Sequence, residues 1–268
     1  MNNVVKLTKS AKDSDLGLLR EELKKGADIN CEGSFLLLNS VIFGNNFINE
    51  EYIQFLIKNG IDINQKTSYG RTALHYAAML GDLRIVQILL ENGIDVNAID
   101  LDHCNALMKT CEHNFLLAPW NLARDEDSLN FSKSEKFKLQ DNYNSMYWKI
   151  KERKQMYDNQ IRIIKLLLES GTNKMYSASN PLARDFATRE PIEGSALDLA
   201  ISNSYDNDMR VVRTLCEYNV PLLKEHHNHF NFGDELFYGG LDAFICDGLE
   251  YRKTAKKLQL VKKYNSKK

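Results

Sequence analysis

The sequence has no apolar run of about 18 residues, so no segment reads as a membrane-spanning helix. Its first stretch, MNNVVKLTKSAKDSDLG, has no apolar core long enough for a secretory signal. Only 4 prolines are present, which excludes long polyproline linkers. The formal net charge is -1, so no global field points to nucleic acid or to a membrane surface. The five cysteines (Cys31, Cys104, Cys111, Cys216, Cys246) are odd in number and scattered, a pattern that fits a reducing compartment better than a disulfide framework. A phosphate-binding glycine loop, a Gly-x-Ser-x-Gly elbow and a paired metalloprotease histidine motif are all missing. These absences leave a soluble protein that reaches a cytoplasm as the expectation, without cofactor and as a monomer.

What is present is a period. Three segments close alike: Gly26-Ala27-Asp28-Ile29-Asn30, Gly60-Ile61-Asp62-Ile63-Asn64 and Gly93-Ile94-Asp95-Val96-Asn97. The closing asparagines recur at roughly 33 residues, and a fixed period of that length means a stacked solenoid. The best unit runs from Gly70 to Asn97. Thr72 stands where a hydroxyl caps a helix. Leu74, Ala77 and Ala78 give that helix an apolar face, and Gly81-Asp82 breaks it. Leu83, Ile85, Val86, Ile88, Leu89 and Leu90 give the second helix a wide apolar stripe, and Gly93 ends it.

This unit resembles the ankyrin repeat: the family's Thr-Pro-Leu-His stands here as Thr72-Ala73-Leu74-His75. The resemblance implies an all-α ankyrin-repeat solenoid of about five helix–turn–helix units. It also implies that Thr72 and His75 are structural, tying neighbouring repeats by hydrogen bonds. The other units are more degenerate. The first has helices at Val4–Ala11 and Leu16–Lys24. The second opens at Gly33-Ser34-Phe35-Leu36-Leu37, with its second helix near Glu51–Lys58. The fourth opens at Asn105-Ala106-Leu107-Met108 and closes with Gln160–Ser170 and Gly171. The fifth opens at Ser195-Ala196-Leu197-Asp198 and has its second helix at about Asp208–Glu217. The array is expected over residues 1–221, with a helical cap and basic tail over 222–268.

The period fails in two places. Between the helices of the fourth unit lie about 45 residues, Phe115 to Asn159, where a few are normal. From Ser134 the spacing turns helical, and the second helix is expected to extend backwards and project from the solenoid. Both tryptophans, Trp120 and Trp148, fall here together with Tyr143 and Tyr147. Such a concentration of aromatics fits an interface anchor or a small satellite core. The second failure is Thr172 to Glu193, a loop with roughly 16 extra residues.

By resemblance, an ankyrin array binds through its loop tips and the inner face of its first helices. On the third unit those positions are Ser68, Tyr69, Arg71, Met79 and Leu80. On the fourth they are Leu101, Asp102, Cys104, Glu112 and His113. With Trp120, Tyr147 and Trp148 they form the expected partner-binding set, and a protein partner is implied. An origin as an effector of an intracellular bacterium, or as a viral host-interaction protein, is a further implied context. Weaker constellations point elsewhere. His103-Cys104 with Cys111-Glu112-His113, and Glu225-His226-His227-Asn228-His229, carry zinc-ligand types without a zinc spacing, so no metal is expected. An enzyme site built from the insertion, the 172–193 loop and the tail is one alternative. Binding of nucleic acid or an acidic surface by the lysine-rich tail after Glu250 is another.

Overall fold

The computed structural model describes residues 3–43, 46–112, 150–176, 178–184, 191–202, 209–223 and 256–266. Among the described residues, ten helices pair into five units. They are α1 (Asn3–Asp13) with α2 (Leu16–Lys24), α3 (Leu36–Phe43) with α4 (Asn46–Lys58), and α5 (Ala73–Leu80) with α6 (Leu83–Glu91). Then come α7 (Ala106–Glu112) with α8 (Ile150–Glu169), and α9 (Ala196–Ser202) with α10 (Met209–Glu217). The first helices stack in one row, α1 on α3, α3 on α5, α5 on α7 and α7 on α9. The second helices form the other row, with α4 on α6, α6 on α8 and α8 on α10. A single apolar core runs along the stack, from Leu7 through Leu37, Leu74 and Leu107 to Leu197 and Leu215. Each unit buries its apolar stripe between its own two helices and against its neighbours, which is what makes the array one body.

The best unit shows how the residues enforce this. Asp82 caps α6 by accepting the Ile85 N–H at 3.0 Å. Ile85, Val86, Ile88 and Leu89 are all buried, and each contributes about 1.5–3 kcal/mol by leaving water. Gly93 ends the unit at φ 79°, a left-handed turn that a Cβ would strain. The helix α4 starts five residues earlier than its apolar pattern suggests, at Asn46.

Aligning Gly171 with Gly93 puts Ile161–Glu169 in register with α6, so the first part of the 20-residue α8 lies ahead of the repeat. The backward extension expected from the sequence is therefore present from Ile150; Ser134 to Lys149 lie outside the described residues. Asn159 and Gln160 mark where the extension joins the stack. The Asn159 amide donates to the Gly81 carbonyl at 3.4 Å, and the buried Gln160 amide donates to the Thr110 carbonyl at 2.9 Å.

The long loop is not structureless. Two short antiparallel strands, β1 (Ala178–Arg184) and β2 (Pro191–Gly194), form a hairpin with an irregularity between Asn180 and Arg184. The solenoid is helical, and this hairpin is the addition to it that the sequence did not announce. Gly194 delivers β2 into the fifth unit at φ 100°, and a Cβ there would lie 2.6 Å from the Asp198 Cβ. Beyond the array a last helix, α11 (256–265), lies against the fifth unit. Leu258 and Val261 are buried, the Lys257 ammonium donates to the Ala200 carbonyl at 2.8 Å, and the Tyr264 hydroxyl bonds Glu217. One lysine of the basic tail is thus a helix-terminus cap rather than an open charge.

Candidate interaction surface

Adjacent units are fastened at three levels, and these positions fix which side chains remain for a partner. The outermost is a ladder of asparagines. Asn30 accepts the Asp62 N–H at 2.7 Å and donates to the Gly60 carbonyl at 2.9 Å. Asn64 accepts the Asp95 N–H at 2.8 Å, and Asn97 accepts the Asn173 N–H at 2.6 Å. The aspartate two residues ahead holds each rung in shape: Asp28, Asp62 and Asp95 accept the N–H of Asn30, Asn64 and Asn97 at 2.9–3.0 Å. The recurring Gly-x-Asp-x-Asn is therefore a hydrogen-bond device as well as a period marker.

The second level is His75. Its Nδ1 accepts from the Thr72 N–H at 3.1 Å and lies 2.9 Å from the Thr72 hydroxyl. Its Nε2 lies 3.1 Å from the Cys104 carbonyl of the next unit. A backbone N–H facing Nδ1 and a carbonyl facing Nε2 fix one tautomer, with the proton on Nε2. Burial lowers the imidazole pKa to about 4, against the opposing pull of Asp100 and the Cys104 bond.

The third level is a buried charge cluster that the sequence did not reveal. The Arg71 guanidinium meets Asp100 at 3.2 Å and Asp102 at 3.7 Å. The Lys109 ammonium, reaching from α7, meets the same two carboxylates at 3.1 and 3.4 Å. All four side chains are at most 3 % exposed. Asp100 also accepts the N–H groups of Asp102 and Cys104. Burial pushes the Asp100 carboxyl up, but Lys109 and Arg71 outweigh it and hold it below its ordinary value. Two cations and two anions balance, which is the condition under which such charges can be buried.

The expected partner-binding set accordingly divides. Arg71 and Asp102 are corrected from loop-tip surface to interior: their charges are spent on each other and on Lys109 and Asp100. Met79 is buried as well, on the inner side of α5. Cys104 and Cys111 are buried, Leu80 and Tyr69 are half-buried, and Ser68 is exposed. Leu101 is 60 % exposed, the clearest apolar projection of the two central fingers. Its N–H donates to the Tyr69 carbonyl at 2.9 Å, so the tips of the third and fourth units are joined edge to edge. Beside it, His103 takes the place of Gly70 and carries its left-handed backbone, φ 56° against 74°. The Glu112 side chain, and His113, Trp120, Tyr147, Trp148 and the 226–229 histidines, lie outside the described residues.

Among the described residues no three His, Cys, Asp or Glu side chains gather as metal ligands, and no helix is long and apolar enough to cross a membrane. Residues 7–100 match the family described as ankyrin repeats, in 3 copies. Ankyrin repeats thus occupy residues 7–100 of the chain. Ankyrin repeats are generally scaffolds for protein–protein interaction and typically lack enzymatic activity. No curated protein matches the chain.

Proposed function

We propose that this protein is a non-enzymatic ankyrin scaffold that binds a protein partner along the finger edge of its third and fourth units. Ser68, Tyr69 and Leu101 contribute the contact, and Leu80 borders it. The supporting observation is the 60 % exposure of Leu101 on a finger held rigid by its backbone bond to Tyr69. A large apolar side chain displayed on a stiff loop adds contact area at little ordering cost. The aromatic-bearing insertion is a second contributor to the same reading, through Trp120 and Trp148.

The test is quantitative affinity capture with the intact protein, Leu101→Asp, and the double variant Trp120→Ala/Trp148→Ala, each first checked for an unchanged helical signal. Partners whose yield falls at least about tenfold with Leu101→Asp support the finger edge. An unchanged partner set with Leu101→Asp refutes it, and an unchanged set with the double variant removes the insertion from the interface.

A further inference from the structure

The ladder changes character at its last rung. Gly171-Thr172-Asn173-Lys174-Met175 and Asn219-Val220-Pro221-Leu222-Leu223 occupy the places of Gly93-Ile94-Asp95-Val96-Asn97. Met175 therefore stands where Asn97 stands in the unit before, and has neither an amide to donate nor a carbonyl to accept. Pro221 stands where Asp95 and Asn173 present the N–H that closes a rung, and proline has none. Both halves of the rung between the fourth and fifth units are chemically removed. In their place Met175 is 62 % exposed and Leu223 is 43 % exposed. The histidine latch is absent here too: Met108 occupies the place of His75 in the fourth unit, as Leu38 does in the second. The left-handed closing position, glycine in the first four units, is Asn219 at φ 57° in the fifth.

The fifth unit is, by contrast, well tied within itself. The Ser195 hydroxyl bonds the Pro221 carbonyl, and the Asp198 carboxylate accepts the N–H of Ser195 at 2.7 Å and of Leu223 at 3.0 Å. Lys257 and Tyr264 then fasten α11 to α9 and α10. Across the junction the polar contacts include Lys174 to the Tyr218 carbonyl, the exposed Tyr218–Glu169 pair and the exposed Arg210–Asp158 pair. Exposed pairs of this kind contribute little. Packing of α7 on α9 and of α8 on α10 carries the rest of the junction.

We propose that α9, α10 and α11 form one body that opens from the first four units as a unit, with the broken rung between Met175 and Pro221 as its joint. In a solenoid the stability of each boundary is set by its own nearest-neighbour contacts, so a boundary that lacks the asparagine rung is where a cooperative piece separates. A partner that spans the fourth and fifth units would close this joint.

Hydrogen exchange followed by mass spectrometry on the full chain tests it, comparing the natural protein with the rung-restoring variant Met175→Asn/Pro221→Asp. In the natural protein, Ala196–Ser202, Met209–Glu217 and 256–265 should exchange at one common rate, faster than Leu83–Glu91. A restored rung adds two hydrogen bonds and should slow all three segments together by roughly tenfold, leaving Leu83–Glu91 unchanged. The slowing of 256–265 is the decisive readout, because the bonds of α11 run to Ala200 in α9 and Glu217 in α10. Three results overturn the proposal: exchange of 256–265 that is independent of α9 and α10, slowing confined to residues next to the two substitutions, or no slowing at all.

Discussion

Acid should act on the array through His75. The folded imidazole titrates at about 4 because burial disfavours its cation, while the unfolded chain presents an ordinary histidine near 6.5. Between those values the unfolded state binds the proton and the folded state does not. Stability is therefore full above about pH 6.5 and falls as the pH drops towards 4. The whole interval amounts to about 3 kcal/mol, and about 2 kcal/mol of it should be lost by pH 5. The cause is local. The Thr72 N–H points at Nδ1 and cannot turn away, so a proton on that nitrogen would face a donor. Arg71 and Lys109 add two positive charges close by, which Asp100 opposes.

Urea unfolding at pH 7, 6 and 5, at fixed ionic strength, measures this directly. The control is His75→Asn, which cannot titrate. That variant starts less stable but should have a flatter pH profile than the natural protein, by about 2 kcal/mol at pH 5. Equal losses in both proteins over this range would show that His75 is not a buried neutral histidine, and the latch reading would fail with it.

Gly194→Ala should destabilise the fifth unit by several kcal/mol, because its Cβ would lie 2.6–2.7 Å from Asp198 atoms at φ 100°; thermal melting checks this. Asp100→Asn leaves Arg71 and Lys109 sharing one buried carboxylate and should cost about 3–5 kcal/mol in chemical denaturation. His103→Gly should stabilise by about 0.5–1 kcal/mol, the relief of a left-handed residue less the entropy of glycine; a lower melting temperature would refute it. Thr172 fills the place of Ala27, Ile61 and Ile94 and buries a hydroxyl that finds no partner among the described residues. Thr172→Val should raise stability by about 1 kcal/mol, read from the urea midpoint.

The parts of the molecule that were legible from sequence are those set by local chemistry. A left-handed closing glycine, an aspartate two residues before an asparagine and an apolar stripe at helical spacing each announce themselves within a few residues. Thr72 and His75 were legible because they form one turn. The buried cluster was not, because Lys109 reaches two carboxylates in the preceding loop and only the stacked fold brings them to Arg71. The available signal was the charge balance of Arg71, Asp100, Asp102 and Lys109, which pairs only across a unit boundary. The β1–β2 hairpin was hidden for a related reason. Pro181 and Pro191 and a run of turn residues read as loop, and strand pairing at that site depends on partners that sequence spacing does not name.

Lys257 and Met175 mark the same limit from opposite sides. A lysine in a basic tail reads as a solvated charge, yet Lys257 is buried, and only its neighbours Leu258 and Val261 at helical spacing hint at an inward face. Met175 reads as an ordinary apolar residue, yet it is exposed because it sits at a rung position where asparagine belongs. In a repeat protein the meaning of a residue comes from its place in the period more than from its type. Once the register is fixed by Gly93 and Gly171, the sequence itself shows which boundaries keep their ties: Asn97 with Asn173 does, and Met175 with Pro221 does not.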